Sequence, residues 1–314
     1  MPMNPSTAFV LGAGLGTRLK ALTAHCPKPL IPVGNMPLIT RAFSHLHHVG
    51  VERFVVNTHW KSDCYPKTFP ECSWNQCPII FSEEQPDVLE TAGGLKFAEH
   101  HLPANAPFWV YNGDILSDLP LEKALAAHLS SKNEVTLVLR SKDGPLQISM
   151  DEFTKQITDI GRRLHPNIDP SYLFTGIYIV DPAFLSRIPL ETKISVVPIF
   201  IEMIRKKARI GGVVIDDGSW WDLGERSQYL SVHKHIAPMN QPHWIHPSAQ
   251  IAADVSLNGN CAIGPNAQIE SGVTLVDSII WENGHVSAGS NLTRCIVTKN
   301  ASAQGAYIDF DFEP

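Results

Sequence analysis

From Ile245 onward, apolar residues recur at every sixth position: Ile245, Ile251, Leu257, Ile263, Ile269 and Leu275. Small or apolar residues stand four places after most of them, at Ala249, Val255, Cys261, Ala267, Val273 and Ile279. A period of six fits neither the 3.6-residue turn of an α-helix nor the two-residue alternation of a strand. It fits a parallel β-helix in which each hexapeptide forms one side of a three-sided coil and the apolar positions stack into one core. The phase slips near Trp281 and resumes more weakly through Val286, Leu292 and Val297. About 60 residues then predict roughly three coils of about 18 residues each. The stretch 238–242 (PMNQP) reads as a linker, so a short left-handed parallel β-helix is expected over 243–314 and a separate domain over 1–237.

The N-terminal part has a different texture. Residues 8–11, 53–58, 78–81, 108–112, 134–140 and 174–180 are short apolar runs that read as buried strands. Between them, Pro37 opens a helix with Leu38, Ile39, Ala42, Phe43, Leu46 and Val49 on one face, stopped by Gly50, and 90–99 also reads as helical. Strands alternating with helices predict an α/β domain with a mostly parallel sheet. With 44% apolar and 18% charged residues and a net charge of −6, the composition is that of an ordinary soluble protein. It gives no reason to expect nucleic acid or a membrane surface as a partner. The opening MPMNPST lacks the basic and apolar regions of a secretory signal, and no apolar run approaches a membrane span, so the expected location is the cytoplasm. Six cysteines without a C-x-x-C fit free thiols in a reducing compartment, and the spacing of Cys64, Cys72, Cys77 and His59 matches no zinc pattern. The cluster His45, His47, His48 is expected on an exposed helix face.

Chemistry concentrates at 11–30, LGAGLGTRLKALTAHCPKPL, directly after the first strand. Gly12, Gly14 and Gly16 permit a tight turn whose backbone N–H groups, with those of Leu11, Ala13 and Thr17, can cup phosphate oxygens. Arg18 adds a planar cationic fork and Lys28 a compact point charge. The glycines fall as G-x-G-x-G, which is neither the dinucleotide fingerprint nor a Walker loop. The guest this block fits is a polyphosphate. Asp114 (in YNGD) and Asp222 (in WWDLG) follow apolar strands, where open α/β sheets collect their ligands, and offer oxygens to a divalent ion; each read alone is also a plain capping aspartate.

The pair G-x-G-T-R-L (14–19, with its preceding glycine) and P-K-P-L (27–30) resembles the signature of the sugar-1-phosphate nucleotidyltransferases, the NDP-sugar pyrophosphorylases. The resemblance implies a Rossmann-like catalytic domain that joins a nucleoside triphosphate to a sugar 1-phosphate and releases pyrophosphate. It implies Arg18 and Lys28 as catalytic cations, and Mg²⁺ held by Asp114 and Asp222. The family's base-binding stretch corresponds to 82–98 (SEEQPDVLETAGGLKFA), implying that Glu84 accepts from the base and that Gly93 lies against it. Its sugar strand corresponds to FTGIYIVDPAFL, implying Asn112, Thr175 and Gly176 on the sugar side. The E-K-P motif of many relatives is absent; the region reads ITDIGRRLHPNID, where Arg162 or Arg163 is the candidate replacement. VVNTHW, LETAGG and TGIYIVDP most resemble N-acetylmuramate-1-phosphate uridylyltransferases, whereas an added β-helix is typical of mannose-1-phosphate guanylyltransferases. A β-helix exposes strand edges and an apolar end, so it is expected to bury that end against another subunit, giving a homo-oligomer, or against its own catalytic domain. The competing readings are a non-catalytic regulatory paralogue, which retention of Arg18, Lys28, Asp114 and Asp222 disfavours, and an acyltransferase β-helix using His285, for which the coils are few.

Overall fold

A computed structural model describes residues 4–236 and 243–314, so the expected linker at 238–242 lies outside the described residues. The chain folds as two compact units. One comprises 1–15 and 39–221, the other 16–38 and 222–314. The segment 16–38 thus groups with the C-terminal part of the chain, a division that the sequence boundary at 237 does not anticipate.

The first unit is built on an eight-stranded sheet. Its spatial order is Ile210–Val214, Val135–Arg140, Leu173–Val180, Phe108–Asn112, Thr7–Leu11, Arg53–Thr58, Cys77–Glu83 and Ser73–Trp74. Thr7–Leu11 runs parallel to both neighbours, with Val10 opposite Val56 on one side and Tyr111 on the other. Leu173–Val180 is antiparallel to both of its neighbours, so the sheet is mostly parallel with one reversed strand inside it. Every residue of Val135–Arg140 is buried, which explains why these strands read as continuous apolar runs rather than alternating ones. Helices Glu90–Phe97 and Val196–Arg205 contribute Ala92, Leu95, Ile199, Phe200 and Met203 to the core against that sheet. The side chain of Ser195 caps the second of these by accepting from Val197 N.

The expectation for the histidine cluster is corrected here. His45 is not on an exposed face: it lies on the inward side of helix Leu38–His48, one turn beyond Ala42, with Nδ1 3.1 Å from the Tyr111 hydroxyl and Nε2 2.7 Å from Leu119 O. Burial lowers its pKa below the ordinary histidine value. Only His48 of the three is exposed. The cysteines are all free, as expected, and among the described residues no three metal-ligating side chains converge. None of the described helices is long and apolar enough to cross a membrane.

In the second unit the hexapeptide pattern forms three parallel ladders. Five strands make one (Trp244–Ile245, Ala262–Ile263, Ile279–Ile280, Ile296–Val297, Asp311–Phe312), and four strands make each of the others. Ile245 pairs with Ile263 and Ile263 with Ile280, so the coil shortens from about 18 residues to about 17 as it climbs. The lost residue lies at the corner between Thr274–Val276 and Ile279–Ile280, just before Trp281, and Asp277 there takes a φ of 46°. Arg294 and Asp309 repeat this at the next two turns, with φ of 49° and 55°. The described residues hold four coils and a further strand rather than three. Ile263, Ile280 and Val297, with Ile269, Val286 and Ala303, stack as the buried core. Cys261, Ala267 and Val273 fill the adjoining corners, as the second set of small residues requires.

Candidate active site

In the first unit the chain leaves its first strand at Leu11, whose carbonyl accepts from Gly113 N at 3.0 Å. The next peptide is held on both sides. Gly12 N donates to Asn57 Oδ1 at 2.8 Å, and the Tyr65 hydroxyl donates to Gly12 O at 2.8 Å. A Cβ at Gly12 would come within 2.7 Å of Asn57 O and 2.8 Å of the Tyr65 hydroxyl, so the residue is glycine for close packing. Asn57 in turn donates to Glu84 Oε1 at 2.7 Å, and Leu89 N donates to Glu84 Oε2 at 2.6 Å. Gly14 faces open space. Among the described residues the amides of Ala13, Gly14 and Leu15 have no partner, whereas that of Gly12 is taken. The loop amides left available to a ligand therefore begin at Ala13.

This changes the reading of the base-binding stretch. Glu84 is fully buried with both oxygens engaged, so it supports Asn57 and the start of the following helix instead of presenting an acceptor to a base. Burial pushes its pKa up, against the opposing bonds from Leu89 and Asn57. Gly93 is also occupied: its amide donates to Ile194 O at 3.0 Å, and Thr192 O fills the place a side chain would take. A Cβ on Gly94 would collide with Glu84. Both glycines serve packing within the protein, which corrects the expectation that Gly93 lies against a base.

On the sugar side, Thr175 and Gly176 sit in a bulge where the pairing of Leu173–Val180 with Val135–Arg140 shifts register between Phe174 and Tyr178. Thr175 is fully buried and its hydroxyl donates to Val138 O at 2.8 Å, while its carbonyl accepts from Trp220 Nε1 at 3.0 Å. Its side chain therefore lines no pocket, contrary to expectation. Gly176, with φ of 78°, packs against Asn112, and a Cβ there would lie 2.5 Å from Asn112 Nδ2. Asn112 and Asp114 are both half-buried at the end of their strand. In the region without E-K-P, Asp159 is 1% exposed and accepts from the amides of Ile160, Arg163, Leu164 and His165. Burial alone would raise its pKa, but these amides hold the carboxyl below its ordinary value. Of the two candidate arginines, Arg162 is paired with Asp169, and Arg163 has no ion pair among the described residues.

The two cations fall in the second unit. Gly16 takes φ of 62° and starts the 3₁₀ turn Thr17–Leu19, and the Thr23 hydroxyl donates to Gly16 O at 2.9 Å. Pro27 and Pro29 bracket Lys28 in a second 3₁₀ turn that buries all but 5% of the lysine. Its Nζ is 3.4 Å from Asp222 Oδ1, and Arg18 Nη2 is 3.8 Å from Asp222 Oδ2. The Arg18 side chain is 65% exposed and passes over Gly224, where a Cβ would lie 2.8 Å from the guanidinium. Two cations thus meet at one carboxylate on an acidic protein. An incoming phosphate can exchange with these long ion pairs at modest cost, because Asp222 is itself 38% exposed. Asp222 thus lies with the cations, and Asp114 belongs to the first unit.

Residues 7–238 match the Nucleotidyl transferase family, and 239–307 match the GMPPB C-terminal domain. The chain belongs to the nucleotidyl transferase family. It is 28% identical over 311 residues to mannose-1-phosphate guanylyltransferase of Mycobacterium tuberculosis, covering 94% of this chain and 85% of that protein. It is 25% identical over 301 residues to a probable mannose-1-phosphate guanylyltransferase of Oryza sativa subsp. japonica, covering 94% and 81%. The fold resembles that of HddC from Yersinia pseudotuberculosis complexed with GMP-PN, at a TM-score of 0.60, 20% identity, and coverage of 73% of this chain and 97% of that one. It also resembles the inositol-1-phosphate CTP transferase of T. maritima, at a TM-score of 0.59, 18% identity, and coverage of 73% and 93%. For this nucleotidyltransferase, Asn57, Tyr65 and Gly224 are supporting residues that the sequence reading passed over. An asparagine ending a strand (RFVVNT) was the available signal for the first; Tyr65 and Gly224 gave none, because their contacts are distant in sequence.

Proposed function

We propose that this nucleotidyltransferase condenses GTP with mannose 1-phosphate, giving GDP-mannose and pyrophosphate. The observation that carries the phosphotransfer reading is the cluster of Arg18, Lys28 and Asp222 at 3.4 and 3.8 Å. The guanylyl and mannosyl choice is supported by the relatives that match along both the catalytic part and the β-helix. A phosphate oxygen of the sugar phosphate attacks the α-phosphorus, the new P–O bond forms, and the bond to the β-phosphate oxygen breaks with its electron pair leaving on pyrophosphate. The nucleophile is already anionic, so no general base is required. The protein's work is alignment and stabilisation of charge. Lys28, buried and fixed between prolines, is the preorganised charge; Arg18, exposed and forked, closes on phosphate oxygens as they arrive.

The donor chemistry fits Mg²⁺. Asp114 in the first unit and Asp222 in the second are each a hard oxygen donor, the kind Mg²⁺ takes in small number while phosphate oxygens and water fill its shell. When bound, the ion supplies charge neutralisation on the triphosphate. On the sugar side, Arg163 is the cation offered to the sugar phosphate, since Arg162 is engaged with Asp169. A turnover screen of the four common NTPs against a panel of sugar 1-phosphates, with and without Mg²⁺, tests the reading. GTP with mannose 1-phosphate should turn over fastest and only with the divalent ion. UTP with N-acetylmuramate 1-phosphate as the preferred pair would replace the substrate assignment, and turnover unaffected by chelation would remove the metal.

A further inference from the structure

The segments that carry Lys28 and Asp222 are each fastened to the β-helix four residues further along the chain. After Lys28, the tyrosine of helix Arg226–Ile236 reaches back: Tyr229 donates its hydroxyl to Pro32 O at 2.6 Å and accepts from Trp281 Nε1 at 3.0 Å. Tyr229 is fully buried and Trp281, in the third coil, is 4% exposed. One helical turn on, His233 Nε2 accepts from Gly34 N at 3.2 Å, which fixes Nδ1–H as the donor to Tyr229 O at 2.8 Å. Asn35 extends the attachment by donating to Trp244 O and Ile263 O at 3.1 and 2.9 Å. After Asp222, Arg226 donates to Asp311 Oδ1 at 2.7 Å and to Arg294 O at 2.5 Å. Between these anchors and the charged groups the backbone has little slack. Leu30, Ile31 and Val33 are buried, Ile31 N closes the turn on Lys28 O at 3.2 Å, and Leu223 is fully buried.

We infer that the β-helix is part of the phosphate site: Tyr229 and Trp281 are positioning residues that set where Lys28 stands relative to Asp222. The inference rests on the nucleotidyl-transfer reading above. Neither side chain touches substrate on this account; both act through the Pro32 carbonyl and the turn before it. Loss of the hydroxyl leaves the half-buried Pro32 O and the buried Trp281 Nε1 without this partner, and a single buried hydrogen bond is worth about tenfold in an equilibrium.

The test uses the full chain with Tyr229→Phe, Trp281→Phe, the double variant, and Asn283→Ala as a control that breaks an exposed β-helix bond to Asn300. Steady-state pyrophosphate release should show the triphosphate KM raised about tenfold by Tyr229→Phe and less by Trp281→Phe. The double variant should be no worse than Tyr229→Phe alone, because both changes act through one hydroxyl. Amide hydrogen exchange at Leu30 and Ile31 should accelerate in the same order. Asn283→Ala should leave both readouts unchanged. Unaltered KM and exchange in folded Tyr229→Phe would overturn the inference, as would a loss confined to thermal stability. If the wild type itself releases no pyrophosphate, the functional reading fails, and the exchange result alone then decides whether the β-helix sets the turn.

Discussion

Asn57 carries more of the turn after the first strand than its sequence context suggests. Its amide is oriented by two opposite demands: the oxygen accepts from Gly12 N and the nitrogen donates to Glu84. Glu84 satisfies two donors with two oxygens, a task that a glutamine cannot perform, because its NH₂ would face either Asn57 Nδ2 or Leu89 N. Glu84→Gln is therefore expected to lower stability by about 1–3 kcal/mol, the scale of a buried donor left facing a donor. Urea denaturation measures this, and an unchanged midpoint would contradict the role. Glu84 also marks the limit of single-sequence reading at this scale. Its motif is visible as text, but its burial depends on Asn57, Leu89 and Gly94, which the fold brings together. Arg18 and Lys28 were legible because prolines and glycines around them leave local structure little choice.

At the scale of elements, legibility followed periodicity. The hexapeptide repeat was readable where Ile, Leu and Val hold the stacking positions, and it faded where Ala303 and Tyr307 take them and the corners lose a residue. That is why the later coils escaped the count. Helix Val196–Arg205 and strand Ile210–Val214 were missed for another reason: the apolar, β-branched opening VVPIFI of the one reads as readily as a strand, and the other carries a Gly-Gly pair at its second and third residues. The helix Glu122–Ser131 offers a test of packing by pH. Its His128 is 5% exposed with Nδ1 3.0 Å from Thr136 Oγ1, and burial lowers its pKa from 6.5 to about 4. Below pH 6.5 the unfolded chain takes up a proton that the folded one refuses, so stability falls as pH drops from about 6.5 to about 4 and levels off beneath that. The His128→Gln variant should lose about 3 kcal/mol of that fall. Denaturant midpoints followed from pH 7 to 4 would show it, and parallel curves for the two proteins would rule it out.

Across the whole molecule, the chain enters the second unit twice, at Gly16 and at Asp222, and each entry brings charged residues, Arg18 and Lys28 with the first and Asp222 with the second. An acidic protein, net −6, thereby places Arg18 and Lys28 in the unit that holds the stacked coils, while the first unit carries Asn112 and Asp114. The β-helix, readable from the sequence as a separate domain, is in the fold the support of the P-K-P-L turn. On the proposed function, Arg18 acts on the triphosphate from that support. Pyrophosphate release from GTP and mannose 1-phosphate, compared between the wild type and Arg18→Ala at saturating substrate, tests it most directly. A kcat lower by about 10²–10³ in the variant is the predicted result, the scale of one preorganised charge contact; an undiminished kcat would contradict it.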